Sequence, residues 1–211
     1  MEIIAHRGLW KTFEERNQWE ALERAALTNM GTETDFRDFN RKLVISHDMP
    51  TEKAVAVEKF LELYQAAPYT LAINIKADGL QTILKQLLDK YQINNYFCFD
   101  MAIPDTLGYI EKELKFFTRE SEYEPFPAFY QKAAGVWLDG FESDDWITEE
   151  KISRHLNAGK AVCIVSPELH QRHHTKKWAE YKQFSCIDSN RLIFCTDYPE
   201  EAKEYFYHEK N

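Results

Sequence analysis

The sequence predicts an α/β fold: a compact (β/α)8 TIM barrel, one domain over residues 1–211, with a short hairpin extension after the second strand. Three observations lead there. Short apolar runs alternate with amphipathic stretches along the whole chain, eight of the runs have the composition of strands, and ionisable residues collect where those runs end. Strands that alternate with helices form a parallel sheet, and eight parallel strands close into a barrel. With 211 residues the chain lies at the lower edge for this fold, so its helices must be short and its loops tight.

The elements follow in order. Glu2–His6 is the first strand, and Asn17–Thr28 carries Trp19, Leu22, Ala25 and Ala26 at helical spacing. Gly31–Phe36 is the second strand. After the turn Asp38–Arg41 comes the shorter run Lys42–Ser46, which reads as a hairpin extension. Leu71–Lys76 is the third strand, followed by a helix over Gln81–Tyr91 with Ile83, Leu84, Leu87 and Leu88 on one face. Tyr96–Met101 is the fourth. Pro104 suits the first position of a helix through Asp105–Leu114, since it has no N–H to satisfy and its φ is already helical. Lys115–Thr118 and Gly135–Asp139 are the fifth and sixth strands, and Thr148 is placed to cap a helix beginning after it. Ala161–Ser166 and Arg191–Thr196 complete the eight, and Pro199 opens a last helix, giving eight crossovers in all. The runs are rich in Ile, Val, Phe and Tyr, and most are bounded by Gly, Pro, Asp or Asn. No linker, low-complexity tract or repeat divides the chain.

Composition narrows the function. The chain is 44% hydrophobic, enough for one sizeable core. A net charge of -9 argues against a nucleic-acid partner, because phosphate backbones need clustered Lys and Arg. The one dense basic patch, His170 to Lys177, reads as a solvated helix N-terminus, with a local phosphate or lipid-headgroup contact as the alternative. No apolar stretch approaches the roughly 18 residues of a membrane span. The opening MEIIAHRG lacks the features of a secretory signal. Cys98, Cys163, Cys186 and Cys195 have no C-x-x-C spacing, and three lie in apolar runs. They read as buried free thiols in a reducing compartment, so a cytoplasmic location is expected.

In such a barrel the chemistry collects at the C-terminal ends of the strands. Strand one ends in His6-Arg7. Strand two carries Glu33 and Asp35, and its extension ends in His47-Asp48. Strand three ends with Asn74 and Lys76, strand four with Asp100, strand five with Arg119 and Glu120, and strand six with Asp139. Strand seven ends in Ser166-Pro167-Glu168 and strand eight in Asp197. Residues two apart on a strand share a face, so Glu33 and Asp35 point together, as do Asn74 and Lys76. Two carboxylates aimed at one spot repel unless a cation or a shared proton relieves them, and oxygen ligands of that kind suit Mg²⁺ or Ca²⁺. A salt-bridge layer inside the barrel is the plain alternative for any one pair; repetition around the strands favours a site. Two histidines beside that pair add acid–base chemistry. A phosphodiester needs a base for the attacking oxygen and an acid for the departing alkoxide, and histidine titrates in the range for both. Arg7 and Lys76 are the groups to neutralise the non-bridging oxygens. Trp10, Phe13, Tyr123, Phe126 and Phe129 lie near strand ends and are candidates for an alcohol pocket, with packing as the plainer role.

Taken as an ordered set, these residues resemble the glycerophosphodiester phosphodiesterase family, within the superfamily of phosphatidylinositol-phospholipase-C-like phosphodiesterases. The resemblance rests on His6-Arg7-Gly8, on Arg16-Asn17-Gln18 approximating a Glu-Asn-Thr helix start, on Glu33-Thr34-Asp35, on His47-Asp48, and on Thr196-Asp197-Tyr198-Pro199. It is dense over residues 2–48, specific at the last strand and loose between. It implies a small phosphodiester substrate, cut to an alcohol and a phosphomonoester. It also implies His6 and His47 as the acid–base pair, Arg7 on the phosphate, and a divalent cation on Glu33, Asp35 and a third ligand. The family has a Glu-x-Lys motif on the third strand; here it reads Asn74-Ile75-Lys76, an amide in place of a charge. The segments Phe97–Asp105 and Phe117–Pro125 also depart from the common pattern and imply a divergent branch. Two alternatives stand beside the metal-assisted hydrolase: a metal-independent lyase-like enzyme releasing a cyclic phosphate, and a catalytically silent protein that binds a phosphodiester.

Overall fold

The structure, a computed structural model, describes residues 1–207. Ten strands and seven α-helices are present among them, and the chain divides into two compact units, Ala5–Phe116 and Met1–Ile4 with the chain from Phe117 onward. The first strand, β1 (Glu2–His6), contributes to both.

In the unit Ala5–Phe116 the central strand is β2 (Gly31–Phe39). On one side it pairs antiparallel with β3 (Lys42–Ile45), which pairs antiparallel with the two-residue β4 (Val55–Ala56). On the other side β5 (Leu71–Ile75) runs parallel to β2, and β6 (Tyr96–Phe99) parallel to β5. The β2–β3 hairpin turns through Asn40 and Arg41, both at positive φ (50° and 64°), which is the backbone of the two-residue turn that matches strand twist. The expected hairpin is present; β2 runs three residues beyond the expected end because Arg37, Asp38 and Phe39 find ladder partners on β3. Four helices cover this unit: α1 (Trp19–Leu27), α2 (Val57–Leu63), α3 (Gln81–Lys90) and α4 (Ile103–Glu111). The two-residue strand β4 and helix α2 are not among the elements expected from the sequence. In α2 only Val57, Phe60 and Leu61 mark the buried face, too short a pattern to stand out beside the β-branched Val55 and Val57.

The second unit is a parallel sheet in the order β7 (Phe117–Glu120), β8 (Gly135–Leu138), β9 (Ala161–Val165), β10 (Leu192–Thr196). Its strands are buried along nearly their whole length, as parallel strands covered on both faces should be. Helices α5 (Glu149–Asn157), α6 (Thr175–Tyr181) and α7 (Pro199–Tyr207) pack Ile152, Trp178, Tyr181 and Ala202 onto Val136, Leu138, Ile164 and Phe194. Thr148 caps α5 as expected, its Oγ1 accepting the Lys151 N–H at 3.3 Å. Two expectations need correcting. Residues 121–134, between β7 and β8, form turns and no helix, so that crossover lacks one. The basic patch is not wholly solvated either: Lys177, in α6, is buried, with Nζ 2.8 Å from Glu180 Oε2 and 3.3 Å from Asp145 Oδ1. All four cysteines are free thiols; Cys98, Cys163 and Cys195 are buried. Among the described residues no helix is long and apolar enough to cross a membrane.

Candidate active site

The site lies within the unit Ala5–Phe116 and starts at the end of β1. There the chain turns sharply: Arg7 (φ 57°) and Gly8 (φ 87°) both take the left-handed backbone. A Cβ on Gly8 would lie 2.8 Å from the backbone carbon of Ala21 and 2.9 Å from its oxygen, so only glycine fits. This turn lets the Arg7 N–H donate to Glu33 O at 2.8 Å while the Leu9 N–H donates to Ala21 O at 2.9 Å, pinning β1 to β2 and to α1. Asn17 closes the loop: its N–H donates to Arg7 O at 3.0 Å, and it too is left-handed (φ 59°), a conformation asparagine tolerates.

These constraints aim polar groups at Asp35, which is fully buried. Asn17 Nδ2 donates to Asp35 Oδ2 at 2.7 Å, and Asn17 Oδ1 accepts the Thr34 hydroxyl at 2.8 Å. Arg7 Nε stands 3.1 Å from Asp35 Oδ2, and Lys76 Nζ 3.3 Å from Asp35 Oδ1. Strand parity does the rest. Glu33, two residues earlier, is 1% exposed, and Asn74 is the registered partner of Asp35 across the β2–β5 pair. Burial, and next the charge of Asp35, push the Glu33 carboxyl up to about 8; Arg7, Lys76 and a hydrogen bond from Asn74 oppose the rise. His6, also buried, has Nε2 3.8 Å from Glu33 Oε2.

His47 differs. It follows β3, its side chain is 46% exposed, and its carbonyl accepts from Arg37 at 3.0 Å. His47 Nδ1 and Asp48 Oδ1 are 2.9 Å apart, and this bond holds the Asp48 carboxyl below the usual range. A carboxylate on Nδ1 fixes the ring and leaves Nε2 for other work. Arg7, Arg16, Asn17, His47, Asp48, Met49 and Lys53 line one cleft of about 540 Å³. Thus Arg7, Glu33, Asp35, Asn74 and Lys76 come together beside His6, and His47 and Asp48 share the cleft with Arg7.

The remaining candidates have other surroundings. Asp100 is half-buried at the end of β6 with a left-handed backbone (φ 64°). In the second unit, Arg119 pairs with Glu124 and lies 5.4 Å over the Phe141 ring. Asp139 Oδ1 is 2.7 Å from His170 Nε2, and the Asp197 N–H donates to Glu168 Oε1 at 3.1 Å. Glu168 ties the ends of β9 and β10 together, also accepting the hydroxyls of Ser166 and Thr196, and burial raises its carboxyl. Of the proposed aromatic pocket residues, Phe13 lines the cleft. The grouping missed two residues. As site residues, Arg16 and Asn17 are marked in the sequence only by the approximate motif Arg16-Asn17-Gln18; Arg16 stacks on Trp10 and Phe13, 4.6 and 4.1 Å from their ring centroids.

Among the described residues no group of three or more His, Cys, Asp or Glu side chains is arranged to hold a metal ion. The donor set here is mixed, two carboxylates and one amide. Asn74 Oδ1 is buried and accepts no hydrogen bond, while Asp35 Oδ1 faces Lys76 Nζ at 3.3 Å. An amide oxygen without a donor, next to a carboxyl whose ionisation burial opposes, is what a hard cation would relieve, so the donor chemistry of Glu33, Asp35 and Asn74 fits Mg²⁺ or Ca²⁺.

No protein-family model matches the sequence, and no curated protein matches it in sequence. Solved structures match over its full length. A glycerophosphodiester phosphodiesterase from Parabacteroides distasonis superposes with a TM-score of 0.72, covering 98% of this chain and 96% of that one at 16% identity. One from Agrobacterium tumefaciens gives 0.67, covering 98% of each chain at 14% identity. A phosphodiesterase from Oleispira antarctica in complex with its product sn-glycerol-3-phosphate gives 0.69, covering 99% and 97% at 14% identity. The chain therefore has the fold of these proteins.

Proposed function

We propose that the chain is a single-domain phosphodiesterase of the glycerophosphodiester type, its eight parallel strands closed into a (β/α)8 barrel. It hydrolyses a small phosphodiester to an alcohol and a phosphomonoester, with His6 and His47 as base and acid. The observation that carries the reading is the buried Asp35, clamped by Asn17, Arg7 and Lys76 beside Glu33, with Arg7 opening onto the cleft of His47. Full-length likeness to phosphodiesterases supports it, as does one neighbour's glycerophosphate product. The buried free thiols support a reducing, cytoplasmic setting.

In this reading His6 takes a proton from water as the water oxygen bonds to phosphorus. The bond from phosphorus to the alcohol oxygen breaks, and His47, oriented by Asp48, protonates the departing oxygen. Arg7 and Lys76, preset by Asp35, face the negative charge of the phosphoryl oxygens. A divalent cation would be held by Glu33, Asp35 and Asn74, and when bound it polarises a phosphoryl oxygen. A second reading has one observation in its favour: Arg7 and Lys76 already bring two cations to Asp35. In it the substrate's own hydroxyl attacks phosphorus, the two histidines suffice, and a cyclic phosphate is released.

The test is turnover of a diester panel with Mg²⁺, Ca²⁺ or chelator, followed by ³¹P spectroscopy. A phosphomonoester product with metal dependence supports the first reading; a cyclic phosphate formed in chelator supports the second. His6→Ala and His47→Ala should each lower the rate roughly 10²–10⁴-fold, and the double variant should be little worse than either. An aryl diester, whose leaving group needs no proton, should partly rescue His47→Ala and not His6→Ala. Turnover of no diester under any condition leaves a phosphodiester-binding protein.

A further inference from the structure

Resting on that reading, we propose that the alcohol half of the substrate is anionic, and that Arg16 and Lys53 recognise it. If His47 protonates the departing oxygen, the alcohol must lie in the cleft beside His47, and the walls of that cleft are known. Its lining carries Arg16 and Lys53 beside Arg7, which Asp35 already engages, against one carboxylate, Asp48, which His47 already engages. Composition does not produce this excess, since the chain has 35 acidic residues to 26 basic ones. The placement of Arg16 is specific. Its guanidinium lies 4.6 Å from the Trp10 ring centroid and 4.1 Å from that of Phe13, and the Trp10 indole N–H donates to His6 O at 3.1 Å. A planar cation stacked on aromatic rings is pre-organised and loses little freedom on binding an anion.

The same stack argues against the opposite chemistry. A choline-like alcohol is recognised on open aromatic faces. Here the nearest aromatic pair already bears a cation. Lys53, exposed on the rim, has its backbone N–H on Thr51 Oγ1 at 3.3 Å, which shapes the turn that carries it. An alcohol bearing a phosphate or carboxylate would meet both cations, while its carbon skeleton would pack on Ile45 and Met49, also in the lining.

The experiment compares three diesters of glycerol 3-phosphate whose alcohols are glycerol phosphate, glycerol and choline, with the full chain at low ionic strength. We expect kcat/KM to fall in that order, by about tenfold or more between the ends, and the spread to shrink as salt is added. Arg16→Gln and Lys53→Gln should each compress the ratio of anionic to cationic substrate, the double variant bringing it near one. Lys53 is exposed, so its variant keeps the test clear of misfolding, and thermal melts check Arg16→Gln. An equal or reversed order, or a ratio that neither substitution moves, overturns the inference and leaves the phosphodiesterase reading intact. Should none of the three, nor an activated aryl diester, be hydrolysed, the phosphodiesterase reading fails instead. Calorimetric binding of the same three compounds then decides: tighter binding of the anionic one supports recognition by Arg16 and Lys53, and equal or no binding overturns it.

Discussion

Replacing Asn17 by alanine asks whether the loop after β1 holds Asp35, or whether its two cations suffice. Three contacts go at once: the bond to Asp35 Oδ2 at 2.7 Å, the bond from the Thr34 hydroxyl at 2.8 Å, and the fit of asparagine to φ 59°. A hydrogen bond to a charged group contributes about 1.5–3 kcal/mol, and a buried hydroxyl left without a partner costs about 1–3 kcal/mol. Alanine in the left-handed region costs roughly 1–2 kcal/mol. These effects share one site and do not add in full, so the expected loss is about 3–5 kcal/mol. At about 2–4 °C per kcal/mol for a chain of this size, the melting temperature should fall by about 6–20 °C. Urea unfolding and thermal melts followed by circular dichroism measure it. Gln18→Ala, at the exposed neighbour, is the control and should stay within about 0.5 kcal/mol. Asn17→Asp should be worse than alanine at neutral pH, since it sets a carboxylate against Asp35, and should recover as the pH falls. A loss below about 1 kcal/mol for Asn17→Ala, the size of one ordinary hydrogen bond, would refute the clamp.

Three further outcomes follow from the same geometry. Gly8→Ala should destabilise by about 2–4 kcal/mol, from left-handed strain and the collision with Ala21, seen as a lower urea midpoint at unchanged slope. Glu33 gives a pH dependence. Its folded pKa, about 8, lies above the ordinary 4.5, so the folded chain binds that proton more tightly than the unfolded one. The stability this gives is fully present below the unfolded pKa and is lost as pH rises through about 8. The stability of the metal-free wild type minus that of Glu33→Gln should therefore decline over that window in urea titrations; a difference flat with pH would be wrong for a buried carboxyl. Asn74→Glu should tighten Ca²⁺ or Mg²⁺ binding on the order of tenfold by calorimetry, because ligand charge sets affinity at such sites. Unchanged binding, in it and in the Glu33→Gln/Asp35→Asn variant, would place the ion elsewhere.

What was legible in the sequence is what periodicity encodes. Glu33 and Asp35 share a face because they are two apart in a strand, and Asn74 and Lys76 follow by the same parity one strand away. The strands could be read because Ile, Val and Phe crowd them, and β1 and α7 begin where composition places them. Short elements were lost: β4 has two residues and α2 seven, less than a period can mark. Asn17 was lost for another reason. Its role comes from a left-handed backbone and a contact 18 residues away, and neither leaves a local pattern. The same holds for Arg16, whose stacking on Trp10 and Phe13 depends on how the loop folds back.

His6-Arg7-Gly8 is one device rather than three residues, and each part fails without the others. Gly8 lets the chain pass within contact of α1, where a Cβ would strike Ala21. That passage sets Arg7 in the left-handed region, so that its backbone N–H meets Glu33 O on β2 while its side chain turns to Asp35. With Arg7 fixed, Asn17 can donate its own N–H to Arg7 O and its amide to the same carboxylate. The buried charge of Asp35 is thus met by a guanidinium, an ammonium and an amide before any ligand arrives. Burying a carboxylate alone would cost several kcal/mol; here the backbone turn prepares its partners. The electrostatics of the cleft are consequences of a left-handed turn that only Gly8 permits, so a change at Gly8 should lower stability and phosphodiester turnover together, whereas a change at exposed His47 should lower turnover alone.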